Sequence, residues 1–93
     1  MVVYKYKLNI PEREALGLVN LPTDAKILKI AEQYGDYYAW CLVDENQQSM
    51  AEYQFLVVGT GHTFPEDVLP GMEYVDTVIT HSGRLVLHFW IDV

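Results

Sequence analysis

Side chains that alternate two by two constrain this chain more than any other feature. Over Val3 to Ile10, Tyr4, Tyr6, Leu8 and Ile10 fall on one side and Lys5, Lys7 and Asn9 on the other. Only a half-buried strand satisfies that period. Pro11 ends it, and Glu14 to Leu21 reads as a second strand, with a short helix over 12–20 as the alternative that Gly17 disfavours. Pro22, Thr23 and Asp24 supply a turn.

Two hairpins follow from paired turn residues. Ala25 to Tyr34 and Tyr37 to Asp44 flank Gly35-Asp36, which suits a tight primed turn and pairs Glu32 with Ala39, Ile30 with Cys41 and Leu28 with Val43. Glu73 to His81 and Arg84 to Asp92 flank Ser82-Gly83, pairing Thr80 with Leu85, Val78 with Leu87 and Asp76 with Phe89. Between them, Ala51 to Thr60 alternates with Tyr53, Phe55 and Val57 on one face, and the prolines of 63–71 predict a loop or one helical turn. About seven strands with at most one short helix make an all-β fold, either an antiparallel sandwich or a small open barrel. Ninety-three residues fit a single domain spanning 1–93.

No apolar run approaches the length of a membrane span, so no membrane partner is expected. Lys5 and Lys7 interrupt the stretch where a signal peptide would be apolar. The lone Cys41 fits a reducing compartment and leaves no disulfide or cysteine-based zinc site. Thirteen acids against six bases give a net charge of −7, which repels duplex nucleic acid. The imbalance is uneven: residues 1–30 hold Lys5, Lys7, Arg13, Lys26 and Lys29, and Arg84 is the remaining base. An anionic ligand should therefore draw on the N-terminal third.

The chemistry-bearing residues do not assemble into a catalytic or metal motif. His88 faces Thr77 in the expected register, and His81 lies about 13 Å further along the same face, too far to share a metal ion. Thr60, His62 and Asp67 form no recognisable nucleophile, base and acid set, and no cofactor motif is present. Gly59-Thr60-Gly61-His62 is the most singular stretch: glycines around a threonine at a strand end permit positive φ and let backbone N–H groups converge on an anion. A glycine bulge that turns the chain accounts for the same residues. Tyr38, Trp40 and Leu42 load the second face of the first hairpin with apolar groups, so one face needs a second sheet and the other a neighbouring copy. Tyr38, Trp40 and Trp90 are the expected interface residues of such a homo-oligomer. Stacking on single-stranded nucleic acid is a further use for these rings, but it needs a basic groove, and only Lys26 and Lys29 are near in sequence.

Tyr4-Lys5-Tyr6, Leu21-Pro22 with Ala25-Lys26-Ile27-Leu28, Trp40 to Asp44, Phe55 to His62, Tyr74 to Thr77 and Leu85 to His88 together resemble an uncharacterised family of small proteins from tailed phages and their bacterial hosts. The resemblance spans nearly the whole chain, and Phe55-x-Val57-x-Gly59-Thr60-Gly61-His62 is its most distinctive part. It implies a non-enzymatic accessory protein in the host cytoplasm, a homo-oligomer that sequesters a small nucleotide-like anion such as a host immune signal. The expected ligand contacts are Gly59 to His62 with Lys5, Lys7, Lys26 and Arg84. The rival expectation is a structural or protein-interaction module without a ligand.

Overall fold

The alternating segments form strands, but the first ends at Lys7 and not at Ile10, and Asn9 bridges to Leu18 instead. The computed structural model describes residues 1–10, 16–46, 49–64, 67, 69–80 and 83–92. Its elements are β1 (Val2–Lys7), β2 (Leu16–Pro22), β3 (Lys26–Gln33), β4 (Asp36–Val43), β5 (Met50–Gly59), a 3-10 turn at Leu69–Gly71, β6 (Met72–Thr80) and β7 (Leu85–Asp92). Pro11, Glu14, Pro65, His81 and Ser82, on which parts of the sequence reading rest, lie outside the described residues. Residues 16–22 are strand, which settles the described part of the second segment against a helix.

Two antiparallel sheets stack as a sandwich: β1-β4-β3 on one side and β2-β5-β7-β6 on the other. Of the two architectures expected, the open sandwich is the one formed. Inward residues from both sheets meet in one core containing Leu8, Val19, Leu21, Ile30, Ala39, Cys41, Val43, Phe55, Val78 and Phe89. Phe89 is fully buried and lies 6.0 Å from the Tyr37 ring and 6.3 Å from the Phe55 ring, so it links the sheets. Burial pushes the Cys41 thiol up to about 11, consistent with an inert core position.

The β6–β7 register matches the expectation pair for pair, with Thr80 opposite Leu85, Val78 opposite Leu87 and Asp76 opposite Phe89. The β3–β4 hairpin does not. Its turn is Tyr34-Gly35, with φ of 54° and 88°, and Gln33 faces Asp36. Glu32 therefore pairs with Tyr37 and Ile30 with Ala39. Both φ values are positive, as a type I′ turn requires, and the wholly solvent-facing Tyr34 side chain has no packing demand to oppose it. A bulge between Ile27 and Lys29 then turns Leu28 outward and leaves it half exposed, so it does not oppose Val43 in the core as expected.

The two edges of the sandwich are fastened by different means. On one side the chain beyond β1 crosses to the other sheet, where Asn9 and Leu18 exchange backbone hydrogen bonds of 3.1 and 3.3 Å. On the other side, side chains join β3 to β6. The Ile30 N–H donates to Asp76 Oδ2 at 2.8 Å, the Lys29 ammonium donates to the same oxygen at 3.2 Å, and the buried Thr80 hydroxyl donates to Glu32 at 3.1 Å. Burial is the largest single influence on Asp76 and pushes its carboxyl up. The Ile30 and Thr77 amides and Lys29 together outweigh it, so the net shift is below the ordinary 3.8.

A carboxylate held below its unfolded value stabilises the fold fully above that value, and the contribution disappears as pH falls through the folded one. Asp76→Asn is expected to cost about 1–3 kcal/mol near neutral pH. In denaturant titrations the gap between wild type and variant should close below about pH 4. A gap that is independent of pH would show that the Asp76 charge does not hold this edge.

Candidate functional site

The Gly59–His62 stretch forms a tight turn at the end of β5. The Thr60 N–H donates to the Val86 carbonyl at 3.2 Å, the His62 N–H donates to the Gly59 carbonyl at 3.1 Å, and Gly61 takes a φ of 84°. A Cβ on Gly59 would sit 3.1 Å from the His62 imidazole, so the glycine makes room for that ring. Two of the amides that would face an anion are therefore already bonded within the protein, which favours a turn over an anion cradle.

The turn nevertheless connects to chemistry that the sequence showed only in part. Thr77 does face His88, and its hydroxyl lies 2.9 Å from Nδ1. The other ring nitrogen, Nε2, is 2.7 Å from the Thr60 hydroxyl, and Thr77 also meets the Tyr74 hydroxyl at 2.6 Å. The Thr60 contact was not legible because it depends on β5 lying beside β7. Beside His88 stands Trp90, edge-on to Phe64 at 4.7 Å and to Tyr74 at 5.5 Å. A hydroxyl on each nitrogen satisfies a neutral imidazole, because one hydroxyl donates while the other accepts. Thr60 and His88 share the spacing of a nucleophile and its base, but the group on Nδ1 is a hydroxyl and brings no charge to stabilise an imidazolium. The arrangement orders this outer face, and it lacks the orienting carboxylate of a catalytic triad. Among the described residues, no three His, Cys, Asp or Glu side chains are grouped to hold a metal ion.

The basic residues converge elsewhere. Residues directly opposite in a sheet share a face, so the registers set Lys5, Trp40 and Lys29 in one row across β1, β4 and β3. Val3, Leu42 and Lys26 form the row on one side of it, and Lys7, Tyr38 and Ala31 the row on the other. This is the outer face of the three-stranded sheet, opposite the core face that carries Ala39 and Cys41. Four of the chain's six basic residues thus surround two aromatic rings. The Lys5 ammonium lies 4.5 Å from the Tyr38 ring centre and donates to Gln33 at 2.8 Å. Lys7 lies 3.6 Å from Asp36, and the Tyr38 and Trp40 rings are 6.0 Å apart at 63°.

The expected ligand set is therefore divided. Lys5, Lys7 and Lys26 share the face of Tyr38 and Trp40. Gly59 to His62 belong with Trp90 on the far sheet, and Arg84 lies exposed at the β6–β7 turn. Lys29, near these rings in the sequence but not among the expected ligand contacts, joins the set, because the β3–β4 register sets it directly opposite Trp40. The two open ends of the sandwich add clefts. One of about 410 Å³ is lined by Leu21, Ile27, Tyr53 and Ile91 with Lys26, and one of about 730 Å³ by Leu8, Tyr37, Val57 and Leu87 with Lys7. Among the described residues, no helix is long and apolar enough to cross a membrane.

The chain belongs to the family described as a domain of unknown function (DUF7352), whose family model matches residues 1–93. No curated protein and no solved structure matches it.

Proposed function

We propose that this protein is a non-enzymatic binding protein whose ligand, a planar anion of the nucleotide class, lies on the outer face of the β1-β4-β3 sheet. The observation that carries the reading is the row Lys5–Trp40–Lys29, a ring with an ammonium-bearing strand on each side. An aromatic face takes a base by stacking, and lysines take its phosphate. Against a net charge of −7, four lysines on one face make that face the favoured place for an anion. In an accessory protein of phage type, such a surface would withhold a nucleotide-derived signal from the host.

The same lysines argue against joining two copies through Tyr38 and Trp40, because like charges would meet. Self-association is better served by the far sheet. There Trp90, the exposed Tyr74 and Ile79 share an outer face, and no described strand residue on that face is a lysine or arginine. Copies paired there would leave both lysine faces open.

Fluorescence tests the reading. In a Trp90→Phe background, Trp40 is the remaining indole, and adenosine and thymidine monophosphates should quench it. Inorganic phosphate should not, because it brings charge without a ring. Lys5→Gln should weaken the quenching several-fold. Absence of quenching by any nucleotide at millimolar concentration would sink the reading.

A further inference from the structure

The geometry points to a linear single-stranded oligonucleotide as the ligand of this face, an inference that rests on the nucleotide-class reading above. Three features of the face exceed what one nucleotide can use.

The first is the angle between the rings. Tyr38 and Trp40 are tilted by 63° with centres 6.0 Å apart, so one flat base cannot lie parallel to both. Each ring instead offers a stacking surface to a different base. The second is the placement of charge. Lys5 and Lys7 stand on β1, and Lys26 and Lys29 stand on β3, with β4 between them. The two groups are separated by two strand spacings, about 9.6 Å at the backbone. A single phosphate reaches one side or the other, whereas a chain of phosphates reaches both. The third is openness. Tyr38 and Trp40 lie on the middle strand of a sheet face that no other strand among the described residues covers, which suits an extended strand better than a compact ring closed on itself.

Charge complementarity selects this occupant over an acidic, aromatic-free chain only if the rings contribute, and over a duplex because paired bases cannot stack on them. Lys5 now rests over Tyr38, and an exposed cation on a ring is held weakly enough for a base to displace it.

The test is fluorescence anisotropy with labelled oligothymidylates from about two to ten residues long. Affinity should rise steeply with length and level off once both lysine groups are engaged. Its logarithm should fall with the logarithm of salt concentration, with a slope of about −2 to −3 for up to four phosphates. Trp40→Leu should weaken binding about tenfold or more while leaving the salt slope unchanged. Lys5→Gln and Lys26→Gln should each reduce the slope by about 0.7. Circular dichroism confirms that each variant is folded.

If a mononucleotide or a cyclic dinucleotide binds as tightly as the longest strand, the linear-strand inference is overturned and the nucleotide-class reading stands. If polyglutamate competes as well as the oligonucleotide, or the matching duplex binds equally, attraction is charge alone and the inference is likewise overturned. If neither oligonucleotides nor mononucleotides bind, both fail together.

Discussion

Gly17→Ala is expected to cost about 3 kcal/mol, the upper end of the usual range for overpacking. Gly17 lies directly opposite Phe55 in the β2–β5 ladder, and it is buried. A methyl group there would overlap the Phe55 ring and stand only 2.5 Å from the Asn9 carbonyl oxygen. The ring can shift only into the packed core. The carbonyl can shift only by loosening the Asn9–Leu18 bridge that fastens one edge of the sandwich. Because both escapes are closed, the smallest possible side chain should be poorly tolerated. Urea unfolding of the variant gives the number, and an unchanged midpoint would mean that the edge relaxes freely.

Phe89→Ala should cost still more, about 3–5 kcal/mol. Phe89 has no exposed surface, and its ring lies within reach of Tyr37 from one sheet and Phe55 from the other. Removing it deletes the ring contact with Tyr37 across the layers and leaves a void that neither sheet can fill without slipping its register. A domain of this size has roughly 5–15 kcal/mol in total, so the variant should be marginally folded at 25 °C. A loss below about 1 kcal/mol would show that the layers close over the gap.

What could be read from the sequence followed how local each decision was. The β6–β7 hairpin pairs as expected from Thr80 back to Asp76 because its alternation there places Leu87 and Phe89 on the core face whatever the tip does, and only beyond Asp76 does a bulge shift the register. In β3 and β4 the residues Gly35 and Asp36 offered an acceptable turn one position later than the real one. Only Tyr34 at positive φ distinguishes them, a conformation that tyrosine does not advertise. The face of each side chain survived that error, because moving the turn by one shifts each partner by two. The core position expected for Leu28 did not survive, since nothing about isoleucine, leucine and lysine in succession marks the bulge that turns it outward.

The site was less legible than the fold for the same reason at longer range. Lys5 and Trp40 are thirty-five positions apart, and they become neighbours only because β1 pairs with β4 instead of β2. Strand order is set by which edges are left to pair, and no local pattern encodes it. Lys26 and Lys29 are the bases near the rings in sequence, and the pairing of β1 with β4 adds Lys5 and Lys7 to the same face. The glycine stretch shows the converse. Its composition suggested a ligand loop, but its amides are spent on Val86 and Gly59.

Lys29 belongs to two structures at once. Its ammonium flanks Trp40 on the outer sheet, and it also holds the Asp76 carboxylate that latches β3 to β6. A phosphate that drew this lysine outward would take it from the latch, and the sandwich would then gape on the side where carboxylates do the fastening. The opposite side would act as a hinge, because its backbone bonds do not depend on charge. Loading the surface and holding the seam therefore compete for a single cation, and occupancy outside would be felt as slackness between the layers.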